Sequence, residues 1–125
     1  MTVTPDELVA RAEAASARAY APYSEYLVGA TLLLRDGTLV DGVNVENAAY
    51  PLGICAERAA IAKAASDGAR PGDIEAIAIT ASPCGGCRQW LHEWQIDQVS
   101  FRRDDGSIAT YSGSELLPDT WNLPE

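Results

Sequence analysis

All three cysteines of this chain fall where a helix is predicted to begin. Cys55 opens the segment CAER (55–58), and Cys84 and Cys87 lie in the segment PCGGCR (83–88). A helix N-terminus presents unpaired N–H groups and a partial positive charge, which lower the pKa of a thiol and favour the metal-binding thiolate. The two glycines between Cys84 and Cys87 let the backbone turn both sulfurs toward one ion. The cysteines therefore predict a metal site.

Three sulfur ligands leave a tetrahedral zinc ion one position short. An open fourth position, available to water, distinguishes a catalytic zinc from a structural one. Glu57, two residues after Cys55, is the candidate proton acceptor for that water, since a carboxylate can move protons without binding the metal. Positions two apart on a regular helix point in nearly opposite directions, so this assignment requires Cys55 at the very start of the helix. Arg58 is favoured over Arg88 as the hydrogen-bond donor to the sulfurs.

A second group of polar residues, NVEN (44–47), ends a predicted strand. Strand alternation places Asn44 and Glu46 on one face, where an amide that donates and a carboxylate that accepts suit a sugar hydroxyl. Tyr50, together with Tyr26 or Trp121, is a candidate wall for a flat heterocycle if the fold brings these residues together.

Length and charge narrow the classes of function. The chain has 125 residues, the length of one domain over 1–125, and its 47% hydrophobic and 22% charged residues are typical of a globular protein. A net charge of −9 repels a phosphate backbone, so no nucleic-acid partner is expected. The start has no signal pattern and the longest apolar stretch, 27–34, is too short to span a bilayer, so we expect no membrane partner. An odd number of cysteines favours a reducing compartment, and a cytoplasmic location is expected.

The order of predicted elements indicates an α/β fold. Periodicity and turn residues predict, in order, a helix over 4–21, strands over 26–34 and 39–45, a helix over 54–66, a strand over 74–80, a helix over about 84–94, and strands over 98–102 and 108–111. This alternation predicts a three-layer α/β/α sandwich with a mixed five-stranded sheet.

Taken in order, these motifs resemble the cytidine deaminase family, specifically its small, three-cysteine, homotetrameric branch. The resemblance covers nearly the whole chain through APYS (21–24), VGA (28–30), NVENA (44–48), CAER (55–58), PCGGCRQ (83–89) and LLP (116–118). It implies a cytidine deaminase-like fold and one Zn²⁺ per subunit, held by Cys55, Cys84 and Cys87, with Glu57 as the proton acceptor.

The resemblance also implies the reaction. Water would attack C4 of cytosine while Glu57 passes protons to ring N3 and to the departing amino group. Cytidine and 2′-deoxycytidine would become uridine and 2′-deoxyuridine with release of ammonia, as in pyrimidine salvage.

Roles for the remaining site residues follow from the same resemblance. Asn44 and Glu46 would hold the ribose 3′-hydroxyl, Ala56 would contact the base through its backbone, and Arg58 would donate to the ligand sulfurs. Ala48 and Tyr50 would reach a neighbouring subunit's site, so that a homotetramer would have composite active sites.

Some features depart from the family pattern. Tyr26 and Trp121 stand where family members commonly carry Phe near the base, and the loop before Pro83 is shorter than usual. These departures leave open a deaminase of a modified cytosine nucleoside, either N4-substituted or blasticidin-like. A non-catalytic zinc-binding module is a further alternative, against which Glu57 argues. A structural site that adds His92 is disfavoured, because its position five residues after Cys87 faces elsewhere on the helix.

Overall fold

The computed structural model describes residues 3–124 and contains one sheet with helices on both faces. Its α-helices are α1 (Pro5–Ser16), α2 (Ala56–Ser66) and α3 (Gly85–Glu93). Its strands are β1 (Gly29–Leu34), β2 (Leu39–Val43), β3 (Ile74–Ile79), β4 (Gln98–Arg102) and β5 (Ile108–Tyr111). A short 3₁₀ helix covers Tyr50–Leu52. Within the described part of the chain, every helix falls short of the length and apolar character needed to cross a membrane.

The sheet has the strand order β2-β1-β3-β4-β5 and is mixed. β3 and β4 pair in parallel, whereas the β2-β1, β1-β3 and β4-β5 pairs are antiparallel. The parallel pair needs a crossover connection, which α3 supplies. The predicted α/β class with a mixed five-stranded sheet is therefore confirmed.

The side chains of β3 divide the core between the two faces of the sheet. Ile77 and Ile79 pack in the cluster that includes α2 and α3, whereas Ala76 and Ala78 pack in the cluster that includes α1. The small alanines leave room for α1, whose Val9 is fully buried. The thicker isoleucine layer supports the two helices whose N-termini carry the cysteines.

A close helix–sheet contact places the start of α2. A Cβ atom added at Gly42 of β2 would lie 2.6 Å from the carbonyl oxygen of Ala56 and 2.5 Å from the amide nitrogen of Ala60. Only glycine permits this approach, since any side chain would meet the helix backbone. The first turn of α2, and with it Cys55, is thereby held against the edge of the sheet.

The first helix is shorter than predicted, because it ends at Ser16 and not near Ala21. The hydroxyl of Ser16 donates to the carbonyl oxygen of Glu13 at 2.6 Å. Such a side-chain bond to the preceding turn competes with continuation of the helix. Pro22, which predicted the later end, therefore lies beyond a helix that has already stopped.

The first hairpin is also shorter than predicted. β1 begins at Gly29 and not at residue 26, and β2 ends at Val43 and not at Val45. Immediately before β1, the N–H of Val28 donates to the Asn44 side-chain oxygen at 2.8 Å. A side chain thus replaces a ladder partner at this point, which strand periodicity does not reveal.

Candidate active site

Cys55, Cys84 and Cys87 meet where α2 and α3 begin. Cys55 immediately precedes α2, Cys84 immediately precedes α3, and Cys87 lies in the first turn of α3. The three Sγ atoms lie within 4.8 Å of one another, and those of Cys55 and Cys84 are 4.0 Å apart. This spacing fits three ligands of one tetrahedral ion with zinc–sulfur bonds of about 2.3 Å.

The electrostatics of the cysteines also fit a cation. Burial raises the pKa of the Cys55 and Cys87 thiols, and neighbouring negative groups raise it further. Burial opposes ionisation of Cys84 as well, but hydrogen bonds such as that from the Cys87 N–H, at 3.4 Å, hold the pKa of this thiol below its usual value. Thiolates this close together repel one another, so a bound metal ion is what allows all three to ionise.

Arg58 is the arginine that reaches a sulfur. Its Nη2 lies 3.9 Å from Cys84 Sγ. The guanidinium of Arg88 points elsewhere and donates to the carbonyl oxygens of Pro83, at 2.9 Å, and Leu116, at 3.3 Å. Arg58 thus adds positive charge beside the sulfurs, whereas Arg88 holds the residue that precedes Cys84.

Glu57 lies in the first turn of α2 and is only 3% exposed, yet it lines the same cavity as Cys55 and Cys84. Cys55 and Glu57 can face the same cavity only if Cys55 lies at the very start of the helix. It does, because Cys55 has extended backbone angles, φ −79° and ψ 159°, and lies just outside α2. Burial raises the pKa of the Glu57 carboxyl despite opposing effects of Cys87 and Arg58. A carboxyl that keeps a proton more readily is suited to accept and return one.

A cavity of about 560 Å³ opens beside the cysteines and Glu57. Five other predicted site residues line it, namely Tyr26, Asn44, Glu46, Tyr50 and Ala56. Its volume falls within the range of small-molecule sites. The fold therefore joins the metal-site residues and most of the predicted binding residues in one place.

The side chains of Asn44 and Glu46 attach the loop between α1 and β1 (residues 17–28) to the wall of the cavity. Asn44 Nδ2 donates to the carbonyl oxygen of Tyr26 at 2.9 Å. Glu46 Oε1 accepts from the N–H groups of Tyr23 and Ser24 at 3.0 and 3.1 Å, and Oε2 accepts from the Ser24 hydroxyl. The hydrogen bonds from Ser24 hold the pKa of Glu46 below its usual value. Both side chains therefore face the cavity in orientations that the loop helps to fix.

Two predicted residues lie apart from this cavity within the chain. Ala48 is exposed and does not line it. Trp121, 70% exposed, lines a separate cavity beside α3 together with His92. The fold thus does not bring Trp121 beside Tyr26 and Tyr50 in one chain. His92 Nε2 lies 3.3 Å from Asn122 Oδ1, and the metal-competent group found among residues 3–124 consists of the cysteines alone.

Ser24 and Ser82 also line the cavity, although local sequence patterns predict no role for either of them. Ser24 stands in the APYS motif, but its partner Glu46 is 22 positions away. No local spacing connects the two residues, so their contact becomes visible only in the folded chain.

The sequence matches the profile of the "Cytidine and deoxycytidylate deaminase zinc-binding region" over residues 3–103. The chain belongs to the cytidine and deoxycytidylate deaminase family. It is an enzyme of the hydrolase class, and its cofactor is zinc, for which the three cysteines supply a fitting donor set. The predicted family, enzyme class and metal are therefore confirmed.

Relatives of this deaminase match it over most of their length. "Cytidine deaminase" of Halalkalibacterium halodurans is 44% identical over 90% of this chain and 92% of its own. "Cytidine deaminase" of Sporosarcina psychrophila is 46% identical over 94% of this chain and 90% of its own. The crystal structure of cytidine deaminase from Burkholderia pseudomallei superimposes with a TM-score of 0.88 at 40% identity, covering 95% of this chain and all of that one.

We expect Cys87→Ala to lose zinc and to unfold at a lower temperature. The substitution removes one thiolate and leaves Cys55 and Cys84 unable to hold the ion alone. Elemental analysis of the purified protein and a thermal melt would measure both effects. His92→Ala is the matched control on the same helix and should keep its zinc. Full zinc content in Cys87→Ala would contradict the assignment of the metal site.

Proposed function

We propose that this deaminase hydrolyses cytidine and 2′-deoxycytidine to uridine and 2′-deoxyuridine with release of ammonia, a reaction of pyrimidine salvage. The observation that carries the proposal is a cluster of three cysteines, two of which line one cavity of about 560 Å³ together with the buried Glu57. This arrangement combines a metal site and a proton carrier with space for a small heterocyclic ligand. Two relatives that match at least 90% of this chain are named cytidine deaminases.

The chemistry divides between the metal and Glu57. Zinc held by Cys55, Cys84 and Cys87 supplies Lewis-acid activation of water. The Glu57 carboxylate takes a proton from the attacking water and delivers it to cytosine N3, and it then carries the proton of the new C4 hydroxyl to the departing amino nitrogen. A C4–O bond forms and the C4–N4 bond breaks, so that water is consumed and ammonia is released. Burial of Glu57 limits competition from solvent for its proton.

The remaining residues orient the nucleoside. Asn44 and Glu46 hold the ribose 3′-hydroxyl, which accords with their place in the cavity wall and their fixed orientation. Tyr26 packs against the base. Ala56 is a fully buried residue in the cavity wall, and we assign it a backbone contact with the base.

The charge of the cavity favours a nucleoside over a nucleotide. Its charged lining residues are Glu46 and Glu57, and among residues 3–124 no lysine or arginine lines it. A phosphate on the substrate sugar would therefore lie near the Glu46 carboxylate without a cation to pair with. Arg58 follows the lining residue Glu57 in the sequence, but its guanidinium is directed toward Cys84 Sγ.

We also propose a cytoplasmic homotetramer with composite active sites. Tyr26, Tyr50 and Leu52 are exposed near the cavity, and an apolar patch of this kind favours an interaction surface. In such an assembly, Ala48 and Tyr50 reach the active site of a neighbouring subunit. The exposed Trp121 contacts the base of a nucleoside that is bound in another subunit. Cysteines that converge as free thiols accord with a reducing compartment.

Glu57→Gln should keep its zinc and lose nearly all turnover. Glutamine fills the same space but cannot take up the proton, so kcat should fall about 10²- to 10⁴-fold. The ultraviolet change as cytidine becomes uridine measures turnover, and elemental analysis measures the metal. Glu93→Gln, an exposed change on α3, is the control and should retain wild-type activity.

Other outcomes would favour the alternatives. Equal kcat for Glu57→Gln and the wild type would contradict the role of Glu57 in proton transfer. If zinc-loaded wild type converts an N4-substituted cytidine but not cytidine, the modified-nucleoside function is favoured. Zinc binding without turnover of either substrate would favour a binding module.

The enzyme should discriminate against phosphorylated substrates. Because the phosphate of dCMP would lie on the sugar side of the cavity, where Glu46 lines the wall and no cation does among residues 3–124, we expect kcat/KM for 2′-deoxycytidine to exceed that for dCMP at least about 100-fold. Ammonia release from each substrate measures the ratio. A 2′-deoxycytidine assay with added inorganic phosphate controls for inhibition by the anion. Comparable values for the two substrates would contradict the nucleoside assignment.

A further inference from the structure

We propose that Ser24 is a positioning residue, whose hydroxyl orients the Glu46 carboxylate so that Oε2 accepts a hydroxyl of the substrate sugar. This inference rests on the proposed function, because it concerns how the same site holds its nucleoside. It assigns a role to a cavity residue that moves no proton and binds no metal.

The two carboxylate oxygens of Glu46 are occupied unequally. Oε1 accepts from the N–H groups of Tyr23 and Ser24 at 3.0 and 3.1 Å, which uses both of its lone pairs. Oε2 accepts from the Ser24 hydroxyl and keeps one lone pair. Oε2 is therefore the atom left to accept from a ligand, and the Ser24 hydroxyl decides which of its lone pairs remains free.

The Ser24 hydroxyl is itself held in place. Its oxygen accepts from the N–H of Tyr26 at 3.0 Å, so its single proton is directed to Glu46. The turn that permits this has Glu25 in the left-handed region, at φ 60°, and the Glu25 N–H donates to the carbonyl oxygen of Ala21 at 2.9 Å. One hydroxyl thus connects the sugar-side residue Glu46 to the base-side residue Tyr26.

The loop has other attachments that do not need the Ser24 hydroxyl. The Tyr20 N–H donates to the carbonyl oxygen of Asn44 at 3.0 Å, and the Glu46 N–H donates to the carbonyl oxygen of Tyr20 at 2.8 Å. The Asn44 side chain bonds the backbone of Tyr26 and Val28. Removal of the hydroxyl should therefore leave the loop attached while the Glu46 carboxylate gains freedom.

The test compares Ser24→Ala on substrates that differ by one hydroxyl. We expect KM for cytidine and 2′-deoxycytidine to rise about three- to tenfold with kcat nearly unchanged, since a binding contact is weakened equally before and during reaction. With 3′-deoxycytidine, which lacks the accepted hydroxyl, the variant and wild type should have the same KM. Ser24→Thr retains the hydroxyl and should restore KM for cytidine.

A matched control and a binding measurement make the outcome decisive. Ser66→Ala removes a hydroxyl that donates only to the carbonyl oxygen of Ala62 within α2, at 2.8 Å, and should keep the wild-type KM. Calorimetry can measure cytidine binding without turnover in Glu57→Gln and in Glu57→Gln combined with Ser24→Ala. The Kd for cytidine should be about three- to tenfold higher in the double variant.

Two results would overturn the role of Ser24 alone. The first is an equal rise in KM for cytidine and 3′-deoxycytidine, which would mean that Ser24 only shapes the loop. The second is unchanged KM and unchanged cytidine binding in Ser24→Ala. Failure of zinc-loaded protein to bind or convert cytidine at all would instead overturn both this inference and the proposed function.

Discussion

The active site depends on how three negatively charged sulfurs are held together without an equal opposing charge in the surrounding protein. The thiols of Cys55, Cys84 and Cys87 lie within 4.8 Å of one another. Two helix N-termini direct partial positive charge at them, Arg58 adds a full charge, and zinc completes the balance. The close contact of Gly42 with α2 and the crossover through α3 serve to bring these helix starts together.

Two carboxyl groups that line the same cavity have pKa values shifted in opposite directions. Burial raises the pKa of Glu57, which is 3% exposed and suited to exchange protons. Hydrogen bonds from Ser24 and Tyr23 lower the pKa of Glu46, which favours its ionised form as a permanent acceptor. Environment alone thus separates the proposed proton carrier from the proposed binding group, although the two side chains are chemically the same.

Local chemistry explains what the sequence predicts well. The helix starts at Cys55 and Cys84, the isoleucine-rich strand β3 and the type of every α-helix and strand follow from caps, propensity and periodicity. The number of cysteines indicates a metal site with one open position, since the ability to bind a metal is a property of the residues themselves.

Tertiary contacts explain what the sequence does not predict. The start of β1 depends on the side chain of Asn44, and the orientation of Glu46 depends on Ser24, 22 positions away. Trp121 lies beside α3 because of where the chain runs after β5, which no local pattern determines. These features arise from the path of the chain in space, so periodicity carries no trace of them.

X-ray absorption at the zinc edge of the purified enzyme tests the central claim most directly. The account predicts three sulfur neighbours at about 2.3 Å and one oxygen neighbour at about 2.0 Å. It also predicts that the outer-shell scattering of a bound imidazole is absent. A fourth protein ligand, such as His92 or a further sulfur, would close the site to water and contradict a catalytic zinc.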